Sequence, residues 1–481
     1  MAKNSDRLEK KSPDWIYMSE FWDMVANITQ GQKSIREKGE HYLPKFPDET
    51  QAEYDYRLSL TKFTNIYRDI LEGLASKPFQ QEIILTDADK TLPDQIASFI
   101  EDVDGSGNNI TIFSMDTFFN GINNAIDWIF VDYSANETGV VRSQADEAAA
   151  GLRPFWSHVL ASNVYEVRSK IIAGKEQLEY IRIFEPGEVK AFREMERTGD
   201  GKAIYTVWKW NAKAEDYLID KQGAITIGVI PMVPFVTGRR NGKSFKFFPP
   251  MRDAADLQIK LYQAESNLEY TKTVAAFPML VGEGVAQEYV GQGADKKAKR
   301  LVVGPGTVLY APPNGQGVNG TWKYISPGSA ELTFLKADVA DIKQDLRELG
   351  RQPLTANSGN LTVITTAVAA GKSKSAVKTW GVNLTDTLTL ALYYTALWYG
   401  LTDYEPSAKV YDEYDDFLDP GADISSLITM ANQGKLSMET LWSELKRRNL
   451  LSKEFNAEKE KLALLAETPE DPVETTVKGR F

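Results

Sequence analysis

The sequence predicts an α+β, helix-rich fold, and three observations carry that prediction. Apolar residues recur three and four apart over 48–75, 253–275 and 330–350, the spacing of amphipathic helices. Between about 150 and 240 the chain turns to β-branched and aromatic runs broken by GDGK and KQGA, which are strand and turn signals. Beyond residue 364 the composition is helical again. Helices grouped before and after a block of strands, rather than alternating with them, give the α+β order. A chain of 481 residues exceeds what one simple core holds, so two to four domains or subdomains are expected.

Residues 1–30 begin weakly and become helical around SEFWDMVANITQG. The segment 48–75 predicts one helix, with Tyr56, Leu60, Phe63, Ile66, Tyr67, Ile70, Leu71 and Leu74 on its stripe. FPDE places a proline and acids where a helix N-terminus favours them, and SKPF ends the run. A second helix is expected over SMDTFFNGINNAIDWIF, running into a strand-like FVDYS. Strands follow in WSHVLASNVYEVR, EYIRIFEPGEVKAF, AIYTVWKWNA and AITIGVIPMVPFV. The helix at 253–275 carries Leu257, Leu261, Ala264 and Leu268 on one stripe. The helix at 330–350 carries Leu332, Leu335, Val339, Ile342, Leu346 and Leu349 in a heptad-like seam suited to packing on another helix. Between them lies a Gly-rich, turn-rich segment with strand-like LVVGPGTVLYAPP and TWKYI. RQPLTANSGNLT is a polar loop that feeds a long helix over 364–400. The acidic connector YDEYDDFLDPGAD follows. Then come three short helices, in ISSLITMANQG, SMETLWSELKRRN and NAEKEKLALLAE, and residues 468–481 have the composition of a disordered tail.

Composition excludes several classes of function. There is no cysteine, which removes disulfides, thiolate nucleophiles and cysteine-based zinc sites. The two histidines, His41 and His158, have no serine or acid pattern around them. Each therefore reads as a packed or surface residue rather than a catalyst. A net charge of −12 argues against tight nucleic-acid binding, which needs a basic face. It is compatible with DNA sliding past without sticking. KKAKR at 296–300 and LKRRNLL at 445–451 are local basic runs that read first as solvated faces. The N-terminus has no apolar signal core, and LTLALYYTALWYGL at 388–401 is too short to span a bilayer.

Four motifs are weighed and set aside. DVDGSGNNITIF at 102–113 opens like a calcium loop, but Phe113 stands where the bidentate glutamate belongs. It reads as a Gly-rich turn capping the next helix. AAGKSKS at 369–375 lacks the first P-loop glycine, since position 366 is Thr366, and its setting is helical. VGEGVAQEYVG at 281–291 has Gln287 in place of the third glycine. EYDDFLD at 413–419 is a run of neighbouring acids of the solvated kind. No nucleophile, base and orienter can be assembled, so no enzymatic activity, cofactor or metal is expected.

The order of these blocks resembles the portal proteins of tailed bacteriophages. The wording that carries the resemblance is GEHYLPKFPDETQAEYDYRL (39–58), DVDGSGNNITIF (102–113), GLRPFWSHVLASNV (151–164), IPMVPF (230–235) and FFPPMRDAADLQI (247–259). The ending ANQGKLSMETLWSELKRRNLL…EKEKLALLAE adds to it. The resemblance covers most of 39–467 and implies a ring, usually of twelve subunits, at one capsid vertex. Such a ring is a conduit for packaged and ejected double-stranded DNA. Its implied partners are the major capsid protein, the terminase and a head–tail adaptor, with no membrane. Its implied location is the virion, after synthesis in the host bacterial cytoplasm.

On this mapping 1–250 is the wing, 253–275 and 330–350 the stem helices, and 276–329 a small α/β clip. Residues 351–363 are the tunnel loop, 364–420 the long wing helix with the acidic connector, and 421–467 the helical crown. The stem would pack through Leu257, Leu261, Leu268, Leu335, Val339, Ile342 and Leu346. The tunnel loop would present Arg351, Gln352, Asn357, Ser358, Gly359 and Asn360, and the clip the basic Lys296, Lys297, Lys299 and Arg300. Two other readings stay open: a non-portal virion or capsid-associated scaffold protein, and a nucleic-acid-processing hydrolase.

Overall fold

The computed structural model describes residues 3–85, 92–134, 151–276, 279–283, 289–290, 297–298, 320–325, 329–349, 363–412, 420–447, 451 and 455–467. It is a mixed helix and sheet structure in two compact units, 1–412 and 413–481.

The first unit opens with helices α1 (Asn4–Leu8), α2 (Pro13–Gln30) and α3 (Gln32–Glu37). Ser12 caps α2 through Trp15 N–H, with Pro13 in its first turn. The single helix expected over 48–75 is two, α4 (Gln51–Leu60) and α5 (Ile66–Ala75). Thr50 and Glu53 form a capping box at the start of α4, and α4 ends where Thr61 takes an extended conformation. Asn65 then caps α5 by accepting from Arg68 N–H. The stripe shifts as a result: Tyr56 is exposed, while Tyr54 and Arg57 are buried.

What holds the break open is a residue far along the chain. Helix α8 (Arg252–Ala276) carries Gln258, fully buried. Its Oε1 accepts from the N–H groups of Ile66 (3.0 Å) and Tyr67 (2.9 Å), and its Nε2 donates to Thr64 O (2.9 Å). Two orphan donors at the start of a helix are thereby satisfied out of water. About two helical turns further on, Ser266 accepts from Arg57 and from Thr61 Oγ1. Arg57 is itself paired with Glu49 at 2.8 Å. Gln258→Leu keeps the volume but strands Tyr67 N–H and leaves Ile66 N–H only its local bond to Thr64 O, which costs about 1–3 kcal/mol. The denaturation midpoint should fall accordingly, and amide exchange at 66 and 67 should accelerate. An unchanged midpoint would show that these donors find other partners.

The short strand β1 (Ile84–Leu85) and helix α6 (Asp94–Glu101) lead to helix α7 (Ile110–Asn124). The helix expected to run to Phe130 stops at Asn124, because Ala125 takes a left-handed φ of 71°. Strand β2 (Ile126–Tyr133) starts at once. It is the centre of a three-stranded antiparallel sheet in the order β3 (Pro154–Val159), β2, β9 (Met232–Val236). Helix α7 lies so close to this sheet that a Cβ on Gly121 would stand 2.3 Å from the Phe235 ring. Phe118 stacks on the same ring at 5.5 Å.

Strands β4 (Val164–Ile172), β5 (Lys175–Glu185), β6 (Ala191–Arg197), β7 (Ala203–Asn211) and β8 (Asp216–Ile225) form a five-stranded antiparallel meander in chain order. The strands expected between 154 and 236 are present with two corrections. KQGA, read as a turn, lies inside β8, and the strand expected over 224–236 is interrupted by a turn at 226–229 and resumes only at Met232. LVVGPGTVLYAPP lies outside the described residues. Strand β8 was not expected over 216–223, where Asp216, Lys221 and Gln222 dilute its apolar residues. β10 (Arg239–Arg240) and β11 (Phe247–Phe248) pair as a small ribbon.

Helix α8 and helix α9 (Ser329–Leu349) pack on each other. At the end of this pair, β12 (Met279–Glu283) and β15 (Thr321–Ile325) run antiparallel from Met279↔Ile325 to Glu283↔Thr321. Within the span between them, β13 (Tyr289–Val290) pairs with β14 (Lys297–Ala298). Helix α10 (Val363–Trp398) packs its second half on the three-stranded sheet. Asn383 Nδ2 donates to Val236 O, Trp156 Nε1 to Thr395 Oγ1, and Trp398 Nε1 to Val131 O, at 2.9, 2.9 and 3.1 Å. β16 (Ala408–Lys409) pairs with β1 and closes the unit.

The second unit holds the three expected short helices, α11 (Pro420–Asn432), α12 (Met438–Arg447) and α13 (Ala457–Glu467). Leu441 is buried, Trp442 meets Phe455 edge-on, and Lys461 reaches Glu439 at 3.2 Å. Among the described residues no helix is long and apolar enough to cross a membrane.

Candidate functional site

The residues expected to form the stem do come together. Leu261 and Leu268 on α8, and Val339, Ile342 and Leu346 on α9, are buried, while Leu257 and Leu335 are half-buried. Glu265 and Lys343 join the two helices at 2.8 Å. The α8 seam is more polar than its leucine stripe suggests, because Gln258, Glu265 and Ser266 are buried beside the leucines. They serve the break between α4 and α5, a long-range role that spacing does not reveal. Helix α9 also packs against α5, so the seam is part of the subunit's own core. Helix α9 turns its other side outward, where Phe334 is 71% exposed.

The tunnel-loop residues Arg351, Gln352, Asn357, Ser358, Gly359 and Asn360 lie outside the described residues, as do Lys296, Lys299 and Arg300. So does the acidic run 413–419. Lys297 is in strand β14, opposite Val290. The AAGKSKS run lies within helix α10, whose backbone N–H groups are engaged along the helix.

In the DVDGSG loop the acids serve the loop itself. Asp102 Oδ1 accepts from the N–H groups of Gly105 and Gly107, both at 2.9 Å, and Oδ2 pairs with Arg153 at 2.6 Å. Asp104 accepts from Ser106 N–H and from the Asn108 side chain, and Asn109 caps α7. The turn-and-cap reading describes these contacts.

One cluster escaped the sequence. Asp127 on β2 and His158 on β3 stand on one face of the three-stranded sheet, since His158 is opposite Ile129 and Ile129 is two residues from Asp127. Asp127 is wholly buried. Its Oδ2 meets His158 Nε2, and its Oδ1 has no hydrogen-bond partner. Burial pushes the Asp127 carboxyl up to about 6, against the opposing pull of His158. Burial also acts to lower His158, but the Asp127 charge and hydrogen bond outweigh it, helped by Asp116, and the imidazole is raised. His158 lines an open pocket of about 380 Å³ with Asp104, Asn108, Asp116, Asn120 and Ser157. Asn120 Nδ2 lies 3.4 Å from His158 Nε2. Among the described residues no three metal-ligating side chains gather. Both shifts favour the protonated form of each group. The one hint in the sequence was Asp127 set in the apolar run AIDWIF.

Comparison with known proteins gives few names. A family described as "Domain of unknown function (DUF4055)" matches residues 250–399, from α8 to the last turn of α10. No curated protein matches. Among solved structures, the neck of an empty gene transfer agent particle computed with C6 symmetry is similar at 12% identity and a TM-score of 0.41, over 85% of this chain and 91% of that one. The neck of the native particle computed with C12 symmetry follows at 12% identity and a TM-score of 0.40, over 83% and 89%. A chain of the native gene transfer agent virion is similar at 12% identity and a TM-score of 0.37, over 91% and 99%.

Proposed function

We infer that this chain is a portal-type subunit of a tailed-phage particle. It forms a ring, most simply of twelve copies, at one capsid vertex, and double-stranded DNA passes through that ring. Terminase, the head–tail adaptor and the major capsid protein are its partners. The observation that carries the reading is the packed pair α8–α9 leading directly into the antiparallel strands β12 and β15. A helix pair with a strand-built tip is the stem-and-clip arrangement that the ordered motifs imply. The net charge of −12 suits a conduit that lets a polyanion slide. A closed ring needs two different faces on each subunit, and the exposed side of α9 is available as one of them.

Electron microscopy of the purified chain tests the reading. Rings with a central hole are expected, whereas a small compact oligomer without one would favour a scaffold protein or a hydrolase. A second test concerns the loop 351–363, which would contact DNA without holding it. Deleting 355–361 should leave rings intact and impair packaging. Arg351→Glu should impair packaging more than Arg351→Gln, because it replaces a phosphate contact with repulsion. Packaging at the unmodified level in all three variants would remove the assignment.

A further inference from the structure

Residues 4–12 cross one face of the five-stranded sheet and are held there almost residue by residue. Leu8 is fully buried with Phe192 and Tyr217, and Tyr165, Phe184, Trp208 and Trp210 pack around them. Arg7 makes a two-pronged pair with Glu194, at 2.5 and 2.9 Å. The backbone N–H groups of Asn4 and Ser5 donate to Asp216, at 3.0 and 2.7 Å. Asn4 Nδ2 donates to Tyr217 O at 2.9 Å, and Arg182 donates to Lys10 O at 2.6 Å. Tyr217 OH donates to Glu9 at 3.1 Å, and Ser12 N–H donates to Tyr165 O at 3.0 Å.

These are the contacts of a bound peptide on a prepared surface. One apolar anchor fills an aromatic pocket, one arginine meets a carboxylate fork, and the backbone is gripped at both ends. The receptor groups are held by the sheet itself. Glu194 also accepts from Tyr180 OH (2.5 Å) and Trp208 Nε1 (2.8 Å), and Arg182 pairs with Glu166 at 3.0 Å. The segment precedes α2, so its release withdraws only its own side chains from the core.

We propose that this aromatic face is a peptide-docking site. The chain's own residues 4–10 are its resident ligand, and the occupant with which they exchange is the same segment of a second copy. Every copy carries one segment and one groove, identical in charge and shape to those of its neighbour. Exchange passed from each copy to the next makes a directional, head-to-tail contact, and reciprocal exchange makes a closed pair. The link over Lys10–Ser12 spans only about 10 Å. It favours docking within one copy at high effective concentration, so exchange matters where copies are held side by side. The inference does not depend on the portal reading, since any assembly of this chain would bring grooves and segments together.

The cysteine-free sequence makes a clean test. A full-length chain carrying both Asn4→Cys and Asp216→Cys should close internally on oxidation, because the two positions meet in the docked state. Chains carrying Asn4→Cys alone, mixed at high concentration with chains carrying Asp216→Cys alone, should give a covalent dimer. Excess free peptide KNSDRLEKKS should reduce that dimer at least tenfold, and the same peptide with Arg7→Glu should not. Internal closure without any dimer in the mixture would overturn the exchange. Failure of the double variant to close, or a dimer indifferent to the peptide, would overturn the docking site. Readings of ring formation by microscopy leave these outcomes untouched.

Discussion

Ile342→Asp is expected to unfold the helical body of the subunit, not merely to loosen contacts between subunits. A seam that served only contacts between subunits would give failed rings around an intact subunit fold. The structure changes that expectation, because Ile342 is 3% exposed within the single chain. It lies on a helix that packs on both α8 and α5, within the first compact unit. A carboxylate placed there loses its hydration and gains no arranged partner. The nearest help, Lys343, already binds Glu265. Breaking a core in this way costs about 3–5 kcal/mol, a large share of the 5–15 kcal/mol that holds a typical domain together. Ile342→Val, which removes one methyl group, should cost about 1 kcal/mol. Phe334→Asp on the exposed side of the same helix should leave the melting curve in place. Guanidinium unfolding followed by circular dichroism reads all three. A melt of Ile342→Asp that overlays the unmodified chain would show that α9 does not pack as described. Loss of rings in Phe334→Asp with an unchanged melt would place the intersubunit contact on the outward side.

How far the sequence could be read depended on whether a signal was local. Helices α8, α9 and α10 were legible to within a residue or two because an apolar period sustained over five or more turns leaves little choice. Most strands between 154 and 236 were legible as aromatic and β-branched runs, but β8 was not, and its KQGA reads locally as a turn although it pairs with β7. The misses are long-range. Nothing near Thr61 announces that Gln258, nearly two hundred residues away, will complete the hydrogen bonds of a broken helix. Ala125 takes a left-handed turn that no local residue preference favours, and the strand after it reads equally well as continued helix. Arg7 and Leu8 sit in a polar stretch that looks weakly ordered until the sheet that receives them is known. His158 has no acid nearby in sequence, and its partner arrives from the neighbouring strand. The two helices 252–276 and 329–349 pack on each other as their apolar periods suggest, while their role as a stem and that of 351–363 as a tunnel loop remain proposals.

The Asp127–His158 pair sets the direction in which stability should depend on pH. Both groups bind protons more tightly when folded: the carboxyl is raised to about 6 and the imidazole is raised as well. A group whose folded pKa lies above its unfolded value contributes stability at low pH and loses it as pH rises through the folded pKa. For Asp127 that window runs from about 4, the ordinary carboxylate value, up through about 6. For His158 it continues upward from the ordinary imidazole value. The unmodified chain should therefore lose about 1–3 kcal/mol of this local contribution between pH 4.5 and 8, a pKa unit being worth about 1.4 kcal/mol. Asp127→Asn should reverse the trend. With the Asp127 carboxylate gone, burial acts to lower His158 against only the smaller opposing pull of Asp116, so the variant gains stability as pH rises. The two curves of melting temperature against pH should cross. The chain has only two histidines, so proton NMR of the imidazole Cε1–H resonances can follow His158 directly, with exposed His41 beside it in the spectrum. In the variant, the His158 titration should move to lower pH. Parallel melting curves over pH 5 to 8, with no displacement of that titration, would mean that the pair carries no charge interaction in the folded chain.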